Sequence, residues 1–288
     1  MSLLPTKKSI PATGITAFSF LFHSIPKGGK TTLASMFPRP IHIDTQHGTK
    51  TMSVDVVHVT DHIETDANGN ETKMAWDVIG EVVAELVLHE ARTKWDTVVI
   101  DLANDAYDML CEKICVEKGV KHIGDIGYGK GTEEANRRFR NFLDTLKGCG
   151  YCIVLCCHSK TVKDESGPIQ VDKLMPEMPG KMKQVLVGWT DIVIYISVRA
   201  IEIKRDKKGE EEVKDPDVPR FSYERIAICS PRPGVEAGGR LSLPDEIVLS
   251  PDPREGYERL KSAIEKAATE RLALLKGQDT PTPKTRKK

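Results

Sequence analysis

Apolar and polar positions along this chain follow two rhythms, which replace one another repeatedly. The runs at residues 15–22, 41–44, 54–59, 97–101 and 152–157 are short, apolar and rich in β-branched or aromatic side chains. Runs of that length and content predict strands buried on both faces. Between them the spacing is helical. Residues 31–37 predict a short helix stopped by Pro38 and Pro40. Within 73–94, Trp76, Ile79, Val83, Leu86 and Val87 recur at helical intervals. After residue 101, Tyr107, Leu110, Cys111, Ile114 and Cys115 share one helical face. Beyond a glycine-rich loop at 119–131, Ala135, Phe139, Phe142 and Leu146 share another.

The rhythm fades at 161–180, which is rich in Pro, Gly, Lys and Met and predicts a long loop, functional or disordered. A short helix is expected at 181–188. Strands at 191–204 and 221–229 follow, joined by a charged hairpin tip at 205–220. Asp252 is the expected N-cap of a last helix, with Pro253 at its first position and Glu255 completing a capping box. Tyr257, Leu260, Ile264, Ala267, Ala268 and Leu275 form its apolar stripe, and Gly277 its end. The expected architecture is α/β: a mostly parallel central sheet flanked by helices, with an antiparallel C-terminal extension. A single domain over residues 1–276 is expected, with a core at about 13–250 and the last helix at about 252–276. Residues 277–288, with Lys284, Arg286, Lys287 and Lys288, read as a disordered basic tail.

Composition narrows the function. Lys plus Arg and Asp plus Glu both number 42, so no global field draws the chain to nucleic acid or membrane, and any DNA contact must be local. No apolar run approaches the roughly 20 residues that span a bilayer, and the N-terminus has no signal-peptide pattern. A cytoplasmic protein without membrane partners is expected. The seven cysteines fit that compartment: Cys152, Cys156 and Cys157 lie in an apolar run, and Cys149 and Cys152 form a C-x-x-C with no second pair at zinc spacing.

Chemistry concentrates in residues 24–32: Ser24, Ile25, Pro26, Lys27, Gly28, Gly29, Lys30, Thr31 and Thr32. Apart from Ser24 at the first glycine, they fit the phosphate-loop pattern G-x-x-x-x-G-K-[ST]. Small residues let backbone N–H groups turn in around a triphosphate. Lys30 is placed to reach its outer phosphates, and Thr31 to hold Mg²⁺ with its hydroxyl. Asp101 closes a buried strand, so its carboxylate emerges at the sheet edge where open α/β folds bind ligands, as a second metal-linked group. The alternative role for Asp101 is a helix N-cap. ATP and Mg²⁺ are the expected cofactors.

The order of these parts resembles the RecA-like recombinase ATPases. That family places a catalytic Glu after the second strand, within an Ile-Asp-x-Glu-His-type motif; here the stretch is Ile43, Asp44, Thr45, Gln46, His47. Downstream it places a metal-linked Asp, a glycine-bearing first DNA loop, a helix, and a strand ending in a polar γ-phosphate sensor. A long second DNA loop follows. Asp101, residues 123–131, His158 and residues 161–180 occupy those places, with His158 where the sensor is commonly Gln. The segments at 38–44, 128–131, 178–181 and 236–240 look like the phage-encoded Sak-type branch of single-strand annealing ATPases. The resemblance spans roughly residues 15–250. It implies a RecA-like P-loop core that binds single-stranded DNA and promotes annealing or strand exchange alongside a single-strand-binding protein. For a phage product, the compartment is the host cytoplasm.

Gln46 separates two readings. An amide orients water but takes no proton at neutral pH, so slow hydrolysis with intact ATP binding is expected. The first reading is a DNA-dependent ATPase of recombination; the second is a nucleotide-gated single-strand binder without useful hydrolysis. A helicase-loading or motor ATPase on the same fold is a third. DNA-contact candidates are Tyr128, Lys130, Arg137, Arg138 and Arg140 at the first loop and its helix, and Lys160, Lys163, Lys173, Lys181 and Lys183 around the second. The resemblance also implies a homo-oligomer, filament or ring, in which Arg232 or Arg240 reaches a neighbour's γ-phosphate. The alternative role for those two arginines is a surface salt bridge.

Overall fold

The computed structural model describes residues 10–164, 170–202 and 221–278. The first half of the chain forms β1 (Phe20–Ser24), α1 (Lys30–Ala34), β2 (Pro40–Asp44), β3 (Asp55–His58), β4 (Glu64–Thr65), β5 (Glu71–Lys73), α2 (Ala75–Leu86), α3 (His89–Lys94), β6 (Thr97–Asp101), α4 (Ala103–Lys118) and α5 (Lys130–Gly148). Next come β7 (Cys152–Asp164), β8 (Val171–Pro176), α6 (Gly180–Trp189), β9 (Ile192–Glu202), β10 (Phe221–Ile228), β11 (Gly238–Gly239), β12 (Glu246–Leu249) and α7 (Pro253–Gln278).

The main sheet has the order β12-β10-β9-β1-β7-β6-β2-β3. Every neighbouring pair from β9 to β3 is parallel, and β10 and β12 extend the sheet antiparallel. This is an α/β core with a mostly parallel sheet and an antiparallel extension at one edge, as the sequence pattern predicts. Alternate residues of each central strand enter different cores, which is why the strands read as continuous apolar runs. Leu21, Ile43, Val98, Ile100, Ile153 and Leu155 pack beneath α2, α4, α5 and α6. Phe20, Phe22, Val99 and Val154 point the other way, toward Leu33 of α1, Phe37, and Tyr257, Leu260 and Ile264 of α7.

The structure departs from the sequence pattern in five places. The strand expected from residue 15 begins only at Phe20; Ile15–Ala17 is a 3-10 turn whose Ile15 is buried against α7, so its apolar side chain packs on a helix rather than on a strand. The helix expected over 73–94 is interrupted at Leu88, where the backbone is extended, and its first residue belongs to β5. The loop expected at 161–180 is instead a hairpin: β7 continues to Asp164 and pairs antiparallel with β8, from Ser159↔Pro176 to Asp164↔Val171. Asp252 caps α7 through the Arg254 N–H at 2.9 Å, but Glu255 accepts the Ser250 hydroxyl and an Arg259 N–H in place of the capping-box bond. Finally, α7 runs through Gly277 to Gln278, and Leu275 is exposed rather than part of the buried stripe. The expected hairpin tip at 205–220 and most of the basic tail lie outside the described residues.

Candidate active site

The carboxyl ends of β1, β7, β6 and β2 open on one edge of the sheet, with Ser24 in register with His158, Asp101 with Cys156, and Asp44 with Asp101. From buried Ser24 the chain turns through exposed Ile25, Pro26 and Lys27, with the Gly28 N–H bonding the Ile25 carbonyl at 3.2 Å. Lys27 (φ 63°) and Gly29 (φ 102°) are left-handed, which curls the backbone into a cradle before α1. A Cβ on Gly28 would meet Ser24 Oγ at 2.4 Å and Ser24 Cβ at 2.7 Å. Ser24 therefore fills space that its partner glycine leaves open, and the departure at Ser24 is accommodated by Gly28.

Lys30 is 5% exposed, and its ammonium donates to Ser24 Oγ at 3.1 Å. Burial lowers its pKa, and Asp101 works against that shift. Asp101 is 3% exposed and accepts the Thr31 hydroxyl at 2.6 Å. Burial raises its pKa against that hydrogen bond, and Asp44 raises it further. Each of these buried charges lacks enough opposite charge to offset its lost hydration. A phosphate beside Lys30 and a divalent cation beside Thr31 and Asp101 would supply it. The residues fit Mg·ATP on that ground. The helix dipole contributes little, because α1 is only 5 residues long.

Asp44 organises the next loop. It accepts the N–H groups of Gln46 (2.9 Å), Gly48 (3.2 Å) and Thr49 (3.0 Å), and the Thr49 hydroxyl (2.7 Å). Burial pushes its pKa up, but these bonds outweigh burial and hold it below the usual range. Thr45 stitches the loop to β6: its N–H reaches the Asp101 carbonyl at 2.8 Å, and its hydroxyl accepts the Leu102 N–H at 2.9 Å. Gln46 is exposed, and a Cβ on neighbouring Gly48 would stand 3.8 Å from Asp101 Oδ2. His158 Nδ1 is buried without a hydrogen-bond partner, and burial, followed by Lys30, lowers its pKa. His158 is therefore a neutral imidazole at this edge. The thiols behind it are inert, since burial pushes Cys152 and Cys157 up to about 12. Among the described residues no group of three or more His, Cys, Asp or Glu is arranged to hold a metal by itself.

The sequence pattern missed His23. Fully buried beside Ser24, it has a pKa lowered to about 4, chiefly by burial. Its Nε2 donates to the Glu236 carbonyl at 2.6 Å, which leaves Nδ1 to accept the Ser159 hydroxyl at 2.9 Å. One neutral ring thus joins the phosphate-loop strand to the root of the β7–β8 hairpin. No motif marks such a residue, because both partners are distant in the chain.

The DNA-contact candidates divide by their partners. Tyr128 is fully exposed, with φ 52°, between Gly127 and Gly129, which are also left-handed. Lys130, Arg137 and Lys163 are exposed, and Lys160 is half-buried on the hairpin. Other candidates are engaged. Arg138 bonds Glu117 (2.8 Å) and Glu134 (2.5 Å), clamping α5 to α4, and Lys173 pairs with Glu236 at 2.6 Å. Arg140 pairs with Asp144 at 3.5 Å, Lys181 lies 3.8 Å from Glu133, and Lys183 bonds Met175 Sδ at 3.4 Å. Arg232 pairs with Glu246 at 3.5 Å. Arg240 pairs with Asp191 at 3.1 Å, at the amino end of β9 and so at the edge opposite the phosphate loop. Within one protomer both arginines form ion pairs.

Residues 18–241 match the AAA_24 family, an AAA domain, and the chain belongs to that family. That family and the phosphate-loop pattern at residues 24–32 place it among the P-loop ATPases. A similar solved structure is the crystal structure of the RadB recombinase, at 10% sequence identity and a TM-score of 0.42, covering 84% of this chain and 90% of that one. No curated protein matches the chain in sequence.

Proposed function

We propose that this protein binds and hydrolyses ATP with Mg²⁺, assembles as a homo-oligomer on single-stranded DNA, and promotes annealing or strand exchange. The observation that carries the reading is the set Lys30, Thr31 and Asp101, two buried charges and a hydroxyl at one sheet edge. Backbone N–H groups of Lys27, Gly29 and Lys30 and the Lys30 ammonium would hold the phosphates, and Thr31 and Asp101 the cation, which supplies charge neutralisation at the phosphates. His158, in register with Ser24 at the start of the loop, would be the residue that senses the outermost phosphate. The β7–β8 hairpin that begins just past His158 presents lysines, and the loop at Tyr128 an exposed ring, suited to a sequence-tolerant single-strand groove. A single-strand-binding protein as partner, Sak-type phage ancestry, a cytoplasmic setting and trans contacts by Arg232 or Arg240 belong to the same reading. So does one domain over residues 1–276.

Gln46 favours a second reading, in which nucleotide gates DNA binding with little turnover. The carboxylate nearest to it in sequence, Asp44, is already saturated by hydrogen bonds and holds no lone pair poised for water. Steady-state ATP hydrolysis with and without single-stranded DNA separates the two readings. Replacing Gln46→Glu should raise turnover, within the about 10²–10⁴-fold that general-base catalysis contributes. An unchanged rate would remove Gln46 from the chemistry.

A further inference from the structure

The antiparallel ribbon places a cation over the phosphate loop that no motif announced. His23 near the end of β1 pairs with Tyr195, but β9 continues to Glu202, so the β9–β10 ribbon overhangs the sheet edge. Arg225 of β10 sits in that overhang, opposite Val198 on one side and Leu249 on the other. Ala227, two residues along, and Leu249 both pack in the core shared with α1, so Arg225 lies on the face where the phosphate loop enters α1. Its side chain rests on the loop itself. A Cβ on Gly29 would stand 3.1 Å from Arg225 Nε, 3.3 Å from Cδ and 3.5 Å from Cζ.

The four described arginines on this ribbon and the segment after it differ in one respect. Arg199, on the opposite face, is held by Glu224 and by Glu246 (2.6 Å), Arg232 by Glu246, and Arg240 by Asp191. Arg225 has neither a carboxylate nor a hydrogen-bond acceptor among the described residues. Arg225 over Gly29 and Lys30 one residue on give the phosphate loop two cationic side chains, and an anion bound in the loop would serve both. A guanidinium also offers paired N–H donors matched to phosphate oxygens.

We propose that Arg225 is a phosphate-contacting residue acting in cis, closing the phosphate loop of its own protomer from the β10 side. The inference rests on the nucleotide-binding reading and adds to it a ligand contact that comes from the same chain. The test is titration of the full chain with Mg·ATP, Mg·ADP and adenosine, for the native protein, Arg225→Gln and Arg225→Lys. Gln keeps the stem over Gly29, so loss of packing does not confound loss of charge. Arg225→Gln should weaken ATP and ADP binding about tenfold or more, the scale of a charge-assisted hydrogen bond, and leave adenosine unchanged. Arg225→Lys should fall between. Mixing Arg225→Gln chains with Lys30→Ala chains distinguishes cis from trans. Acting in cis, the mixture stays as weak as its parts. Native-like ATP affinity in Arg225→Gln, or recovery on mixing, would overturn the proposal while the nucleotide reading stood. A native chain that binds no Mg·ATP would overturn both.

Discussion

The phosphate loop and the β7–β8 hairpin leave the same edge of the sheet, yet they are built on different principles. The loop is local and steric. Its shape follows from a few adjacent residues, with Ser24 against Gly28 and left-handed Lys27 and Gly29, and the charge it turns inward, Lys30, is buried. The hairpin is long-range. Beyond its own two strands it is tied to the 232–236 segment, where the Leu174 N–H reaches the Gly234 carbonyl at 2.8 Å and the Glu236 N–H returns to the Leu174 carbonyl at 2.9 Å. Its lysines are at least partly exposed. A site that grips a compact, highly charged ligand can be specified by a short motif, whereas a surface that follows a flexible polyanion is specified by what lies elsewhere in the chain. His23 joins the two regions.

The largest effect is expected at the loop. Replacing Gly28→Ala puts a Cβ into Ser24 and should weaken ATP binding about tenfold to a hundredfold, the 1–3 kcal/mol typical of overpacking a tight site. The double change Ser24→Gly with Gly28→Ala should recover much of that loss, because it removes both of the contacts under 3 Å. A double variant as weak as Gly28→Ala alone would contradict the complementarity of these two positions.

At the hairpin the expected effect is smaller and depends on salt. Replacing Lys160 and Lys163 with Glu should weaken single-strand binding and make the log–log salt slope shallower by about 1.4, at about 0.7 per single-strand phosphate contact. ATP affinity without DNA should not change. An unaltered slope would take these two lysines off the DNA path.

The smallest effect is a pH dependence. Asp101 is raised above 3.8 by burial, so protons compete with Mg²⁺ at a pH above the ordinary carboxylate range. Without a cation, this carboxyl stabilises the fold in its protonated form, and that contribution is lost as pH rises through its folded value. Mg²⁺ should therefore strengthen nucleotide binding more at neutral pH than under mildly acidic conditions. In Asp101→Asn only the pH dependence from the nucleotide's own terminal phosphate, whose second pKa is about 6, should remain. A pH dependence of the Mg²⁺ effect that is the same in the native chain and in Asp101→Asn would show that Asp101 does not hold the cation.

How much of this was legible in the sequence follows the same division. The central strands could be read because burial on both faces demands unbroken apolar runs, and Lys30, Thr31 and Asp101 because their spacing carries their geometry. The hairpin could not: Leu174 looks like an isolated apolar residue until Val235 and the cluster of Tyr195, Ile226, Ile228 and Ala237 are brought beside it by the fold. Ion pairing is equally silent, so Arg138, Arg232 and Arg240 looked available in the sequence but are paired in the structure. Arg225 stood out in no pattern because its partner, Gly29, meets it only through the turn of the β9–β10 ribbon over the sheet edge.

The central claim is that a magnesium-bound triphosphate is held at the carboxyl edge by Lys30, Thr31 and Asp101. Isothermal titration of the full chain with Mg·ATP tests it most directly, with Lys30→Ala as the paired variant. Saturable binding in the native chain and its loss in the variant is the predicted result. No heat in the native chain, or equal affinity in Lys30→Ala, would contradict the account.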